Sequence, residues 1–244
     1  MDFEDTRYNR QELMPSIGQQ GQARLAGARV VVIGAGGVKS PLLLYLAAAG
    51  VGNIRVIDFD NVELSNLNRQ ILFDTQSIGQ NKAAAAEQRL LNLNPEIQVE
   101  AIDERIGPEN IARVCGGYDI VIEGGDSTRG REVVNRYCVE SGQVMVHASA
   151  QYGYGYVLTT LPGRTACFSC VFPDLPQGHG GSVPVYGIST GIAGCLGANE
   201  VLKILLNKGR LATNGILTFS TFQNDFQFVP SPRRVDCSVC GDGR

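Results

Sequence analysis

Along the chain, short β-branched runs alternate with segments whose apolar residues recur at helical spacing. Residues 30 to 33 (VVVI) form such a run and end in Gly34-Ala35-Gly36-Gly37; Leu42 to Ala49 then reads as a small-residue helix and Ile54 to Asp58 as a second strand. The pattern recurs as a helix with Ala83, Leu90 and Leu91, an alternating segment Ile97 to Ile102, and the apolar run Ile120-Val121-Ile122. Another helix and Val144-Met145-Val146 follow. Such alternation predicts an α/β fold with an open, mostly parallel sheet and helices on both faces.

From Gln151 the texture changes. Tyr152, Tyr154, Tyr156, Leu158 and Leu161 predict strands of an antiparallel or edge type, so the sheet is expected to change direction there. Residues 172 to 188 are rich in proline and glycine without periodicity and predict a long loop, either a passive crossover or a lid over a substrate. Ser189 to Asn207 reads as a helix with Ser189 or Thr190 as its cap and Gly209 beyond its end. Ile216 to Phe219 and Phe226 to Val229 predict closing strands. Neither repeat nor linker interrupts the chain, which predicts a single domain over residues 1–244.

Composition narrows the function classes. The 244 residues are 43% hydrophobic and 18% charged, with 30 glycines, 7 cysteines and no tryptophan, enough for a substantial core and unlike a disordered chain or a disulfide miniprotein. Lys plus Arg total 21 against 24 Asp plus Glu, a net charge of -3, which offers no basic excess for a nucleic-acid backbone. The amino terminus is acidic and polar, without the basic start and apolar run of a secretory signal. The longest apolar stretches, Pro41 to Ala49 and Val201 to Leu206, fall short of the roughly 20 residues that cross a bilayer. A cytoplasmic protein without membrane or nucleic-acid partners is expected.

The glycine turn is the first chemical signal. A helix that starts directly after a strand aims free N–H groups and the positive end of its dipole at whatever lies above the turn, and phosphate is the natural ligand. Asp58, at the end of the next strand, stands where a carboxylate accepts hydrogen bonds from a ribose, as in Rossmann-like folds. Lys39 occupies the position where a dinucleotide enzyme needs a glycine, which counts against NAD. Lys39 either meets a bound phosphate or faces solvent. Ser65-Asn66-Leu67-Asn68-Arg69-Gln70 follows the second strand at the sheet edge that binds ligands. Its Arg69, with Lys82, supplies the counter-charges a polyphosphate needs. Asp126, reached through Gly124-Gly125, puts a carboxylate at the same edge, to hold Mg2+ or to cap a turn.

The cysteines give the second signal. Cys167-Phe168-Ser169-Cys170 and Cys237-Ser238-Val239-Cys240 are two CxxC units, which together supply the four thiolates of a closed, structural zinc site. Cys115, Cys138 and Cys195 lie in or beside helical segments and are expected to be buried small apolar residues. Neither His147 nor His179 has a serine or cysteine at a spacing that suggests a hydrolytic triad.

Taken together, R7-Y-N-R-Q11, G34-A-G-G37, D58-F-D60, S65-N-L-N-R-Q70, Lys82, G125-D126 and the paired CxxC units resemble the MoeB/ThiF/HesA family, bacterial relatives of ubiquitin-activating E1 enzymes, over nearly the whole chain. The resemblance implies a homodimer that uses ATP and Mg2+ to adenylate the C-terminal glycine of a ubiquitin-like sulfur carrier ending in Gly-Gly, releasing pyrophosphate. It implies that Gly37 meets the nucleotide through its backbone, that Asp58 holds the ribose, and that Asn66, Arg69 and Lys82 bind phosphates. Asp126 is implied as the Mg2+ ligand and Arg10 as a residue reaching the γ-phosphate in the neighbouring subunit. Gly34, Gly36, Lys39, Asp60, Ser65, Asn68 and Ser127 are expected to line the same nucleotide site. Three departures stand out: Lys39 replaces a glycine, Ser127 stands where Asn follows the aspartate, and residues 171 to 194 lack the cysteine some relatives use covalently. The expected catalytic set is therefore Arg10, Arg69, Lys82 and Asp126, ending at the acyl-adenylate. Adenylation of a small-molecule or peptide carboxylate, and ATP binding without turnover, are the alternatives.

Overall fold

The computed structural model describes residues 7–125, 127–174 and 183–242. Two helices, α1 (Asn9–Glu12) and α2 (Gly18–Gly27), precede β1 (Arg29–Ile33). The chain continues through α3 (Lys39–Ala48), β2 (Asn53–Ile57), α4 (Lys82–Leu93), β3 (Gln98–Ile102), α5 (Ile111–Cys115), β4 (Ile120–Glu123), α6 (Thr128–Ser141) and β5 (Val144–Gln151). It closes with β6 (Tyr154–Thr160), α7 (Phe168–Val171), α8 (Gly187–Leu206), β7 (Gly215–Ser220) and β8 (Asp225–Pro230). One eight-stranded sheet results, in the order β3-β2-β1-β4-β5-β6-β7-β8. Pairing is parallel from β3 through β5 and antiparallel from β5 to β8, so the direction changes where the texture of the sequence does.

Alternation along β1 explains why both faces are covered. Val30 and Val32 join Leu42, Leu46, Leu90 and Val201 in one core, under α3, α4 and α8. Val31 joins Ile111, Val121, Val134, Cys138 and Met145 in a second core on the other face, under α5 and α6. Burying apolar area on both faces at about 25 cal/mol per Å² is the main favourable term for this sheet. The strand order reverses between β1 and β4, and such a switch point opens a crevice at the carboxyl ends of the strands.

Three expectations need correction. The last long helix starts at Gly187 with Tyr186 at its N-cap, two residues before Ser189. The hydroxyls of Ser189 and Thr190 instead donate to the carbonyls of Tyr186 and Gly187, inside the first turn. Cys195 is exposed, whereas Cys115 and Cys138 are buried as expected. Helix α8 also has the length and apolarity to cross a bilayer. Here it is a core helix, with Ala193, Ala198 and Val201 almost wholly covered. The loop at 172 to 188 is described only at its ends, where Val185 bridges to Tyr152.

Candidate active site and cysteine knuckle

The glycine turn between β1 and α3 is built by its neighbours. Gly34 takes φ +88°, which a side chain would strain, and its N–H donates to Ile57 O at 2.7 Å. Asp58 then ties the turn to β2: Oδ2 accepts the Ala35 N–H at 2.7 Å and Oδ1 the Asp60 N–H at 2.9 Å. Each oxygen keeps a lone pair for another donor. Burial pushes this carboxyl above its usual range, against the pull of the two amides and of Lys82.

Lys82 begins α4, whose first turn is capped by Asn81. Its backbone N–H donates to Asp60 O, and its Nζ lies 3.4 Å from Asp60 Oδ2. The lysine side chain is 9% exposed and the aspartate 52%, so the pair stands at the mouth of the crevice with the ammonium on the inner side. Asn81 reinforces this corner by donating to Asp58 O.

On the other side of the turn stands the 65–70 segment. A Cβ on Gly37 would lie 3.1 Å from Thr190 Cγ2 and 3.3 Å from Arg69 Cγ, so glycine leaves room that any other residue would fill. Gly187 packs in turn on the Asn68 carbonyl. The first turn of α8, Arg69 and the glycine turn therefore meet at one point. Arg69 is half-buried and spends Nη1 on Ser65 O and Asn68 Oδ1, both at 3.0 Å, with donors to spare. Gln70 is 5% exposed, its amide near Gly36, and its Oε1 has no hydrogen-bond partner. An orphaned buried acceptor beside a glycine cradle is what a bound ligand would satisfy.

Other expected residues have structural work. Asn66 is buried, and its Oδ1 accepts the Glu63 N–H in a capping box. Ser65 is exposed beside Glu63. Ser127 caps α6, accepting the Gly130 N–H. Lys39 does not face solvent: it is 3% exposed and its Nζ reaches Gly124, so it links the first turn of α3 to the end of β4. Asp126 and His179 lie outside the described residues. Arg10 is exposed on α1, which packs at the far end of α3: Tyr8 abuts Gly50, and Gln11 donates to Ala49 O. A helix of ten residues spans about 15 Å, so Arg10 sits well away from the glycine turn of its own chain.

Beneath the crevice lies a network the sequence did not reveal. Glu123 ends β4 opposite His147 of β5, with Oε2 2.7 Å from His147 Nδ1, and both are buried. His147 Nε2 is 3.0 Å from the Tyr156 hydroxyl. Burial opposes charge on Glu123, but the hydrogen bond from His147 and the positive charges nearby, Lys39 and Arg131 among them, hold it below the usual carboxylate range. Burial likewise holds His147 below its usual value, and keeps Tyr156 protonated, pushed up to about 12. The consistent assignment is a neutral ring donating from Nδ1 to Glu123 and accepting at Nε2 from tyrosine.

The two CxxC units converge. Among the described residues, Cys167, Cys170, Cys237 and Cys240 form a cluster with all four sulfurs within 4.8 Å of one another. Individual separations are 4.0 Å for Cys167–Cys170, 3.7 Å for Cys167–Cys237 and 3.3 Å for Cys170–Cys240. Sulfurs of a tetrahedral Zn–S4 unit with bonds of about 2.3 Å stand about 3.8 Å apart, so the donor set fits zinc. Backbone amides of Arg234 and Val239 point at Cys170 and Cys237 sulfur, as amides do around metal-bound thiolates.

The ThiF family profile matches residues 8–239. The SAMP-activating enzyme E1 of Haloferax volcanii is 37% identical over 243 residues, covering 97% of this chain and 89% of that protein. A sulfur carrier protein adenylyltransferase of Thermus thermophilus is 38% identical over 247 residues, covering 97% and 90%. Among solved structures, E. coli MccB with ATP superposes with a TM-score of 0.87 at 26% identity, covering 98% of this chain and 75% of that one.

Proposed function

The chain belongs to the ThiF family, and from that premise we infer that it is an adenylyltransferase which activates a ubiquitin-like sulfur carrier as its acyl-adenylate at the β1–β4 crossover. The observation that carries this reading is the meeting of Arg69, the glycine turn and the first turn of α8 beside the orphaned Gln70 acceptor. Phosphates over the α3 N-terminus gain its dipole and free amides. Asp58 binds the ribose with its free lone pairs, and Arg69 and Lys82 face the phosphates.

An oxygen of the carrier's terminal carboxylate attacks the α-phosphorus. The bond from that phosphorus to the bridging oxygen breaks, and pyrophosphate leaves. No protein nucleophile is needed, because the work is to hold two anions together and to stabilise charge on the leaving group. Asp126 is the residue that would hold Mg2+, which would supply further charge neutralisation. Zinc at the four cysteines is structural, tying residues 237–240 to α7. The free, unbridged cysteines suit a reducing compartment, and we place the enzyme in the cytoplasm.

The carrier is favoured over a small-molecule or peptide carboxylate because relatives named for carrier activation are 37–38% identical, whereas MccB, solved with MccA, is 25–27% identical. Isotope exchange between pyrophosphate and ATP tests the choice. Exchange is expected only with a carrier ending in Gly-Gly, and exchange driven by small carboxylates alone would refute the carrier reading.

Arg10 lies far from its own glycine turn, which supports the reading that it serves the site of a second copy; we propose a homodimer as the active form. Arg10→Ala and Arg69→Ala are each expected to lose nearly all exchange. Their mixture should recover about a quarter of wild-type exchange, since half of randomly paired dimers would carry one intact site. A mixture as inactive as its components would contradict the shared site.

A further inference from the structure

Among the described residues, the adenylation reading leaves a buried group of Glu123, His147 and Tyr156 unused. A buried acid–histidine pair is seldom kept for stability. Desolvating the carboxylate is costly, and a well-packed apolar pair often does better. Its contacts run in two directions.

Toward the crevice, Glu123 Oε1 accepts the Gly125 N–H at 2.7 Å, while Arg131 Nε donates to Gly125 O at 2.7 Å. Both polar groups of this glycine are thereby fixed. Gly124, at φ +150°, lies so close to Ala148 O that no side chain fits. The path by which the chain leaves β4 is therefore set by Glu123, Arg131 and β5, and that path leads in sequence to Asp126.

Toward the zinc knuckle, the His147 ring packs on Phe168, with centroids 4.7 Å apart, and on Tyr156 at 5.4 Å. Phe172 closes the cluster, 5.0 Å from Phe168 and 5.2 Å from Tyr156. Phe168 stands between two cysteines of the knuckle, and its N–H donates to the buried Asn135 Oδ1 at 3.0 Å. Asn135 Nδ2 in turn reaches Ser169 Oγ at 3.0 Å. The side chain that touches His147 is thus held by the same turn that presents Cys167 and Cys170.

We propose that His147 is a positioning residue for adenylation: it joins the packing of the cysteine knuckle to the Glu123 carboxylate, and so sets the Gly124–Gly125 turn at the edge of the nucleotide site. The proposal rests on the reading of that crevice as the adenylation site. It gives the knuckle a second consequence, since loosening Phe168 would free the ring that aims Glu123.

Three variants in carrier-dependent ATP–pyrophosphate exchange test it, measured across Mg2+ concentrations with melting temperature and zinc content recorded. His147→Leu fills the space and removes the donor to Glu123. It should lower kcat by about 10- to 100-fold, the usual effect of losing a residue that orients a site, and raise the Mg2+ needed for half-maximal rate. His147→Asn keeps an N–H near the Nδ1 position and should restore most of the rate. Tyr156→Phe keeps the ring stack, removes only the hydroxyl, and should give a smaller fall in kcat; it also keeps the test open if the leucine variant does not fold.

Unchanged kcat and Mg2+ dependence in folded His147→Leu, or equal losses in the leucine and asparagine variants, would overturn the proposal. Arg69→Ala separates the two levels. Loss there without loss in His147→Leu refutes the relay and leaves the adenylation site standing. No loss in either refutes the site itself.

Discussion

Arg69→Ala should lower carrier-dependent exchange by roughly 10²- to 10³-fold, the cost of removing one preorganised donor from a developing anion. The guanidinium stands on the 65–70 segment, and its Cγ lies 3.3 Å from where a Cβ on Gly37 would be. That puts the arginine side chain beside the glycine turn, over which the phosphates are proposed to rest. Lys82, the other cation of the mouth, is engaged with Asp60 at 3.4 Å and does not substitute for it. Arg69→Lys should recover only part of the loss, because a planar fork grips two phosphate oxygens and an ammonium one. Stability should change by only about 1 kcal/mol, since the hydrogen bonds lost, to Ser65 O and Asn68 Oδ1, are local and partly exposed. Exchange within a few-fold of wild type, in a protein that melts normally, would remove Arg69 from the phosphate site.

Stripping zinc, or replacing Cys237 by serine, is expected to give the largest loss of stability. The carboxyl-terminal segment after β8 meets the body of the protein through Cys237, Val239 and Cys240, packed against Ala166, Cys167 and Cys170 in a small separate core. Without a cation, burial pushes the Cys170 thiol up to about 11, while at Cys237 burial is outweighed by hydrogen bonds from backbone amides and neighbouring thiols, which hold it down at about 7, so crowded sulfurs with no shared partner would replace four thiolates sharing a divalent charge. A loss of about 4 kcal/mol is typical of a structural metal. For a chain of this size that lowers the melting temperature by roughly 8–16 °C. The sheet is held by two larger cores on its two faces and should stay folded, so the loss should appear first as exposure of residues 231–242 to proteolysis. Metal analysis should find one zinc per chain. A protein free of zinc that melts at the same temperature would contradict this role.

The strands, the glycine turn and the direction change at Gln151 were legible because each depends on local sequence. A β-branched run buried on both faces, glycines where φ turns positive, and alternation in a half-exposed strand all announce themselves within a few residues. The cysteine knuckle was legible because CxxC spacing fixes sulfur geometry locally, although only the fold brings the pairs together. What escaped was non-local. Thr190 and Gly187 meet Arg69 only because α8 crosses over the glycine turn, and nothing in either segment encodes that contact. His147 and Glu123 face each other by register between parallel strands, and Tyr156 joins them from an antiparallel one. Cys195 was open to better reading. The buried positions of α8 run through Ser189, Ala193, Gly194, Gly197 and Val201, a helical stripe that excludes position 195. The start of α8 was misplaced because Ser189 and Thr190 bond back to carbonyls of their own turn, an alternative use of the same hydroxyls that cap helices.

A structure with a non-hydrolysable ATP analogue bound tests the central claim most directly. The triphosphate should lie across the glycine turn between β1 and β4, with the ribose on Asp58, phosphate oxygens within hydrogen-bond distance of Arg69 and Lys82, and the α-phosphorus open to an incoming carboxylate. A nucleotide bound elsewhere on the chain, or one seated there with Arg69 and Lys82 turned away from its phosphates, would contradict it.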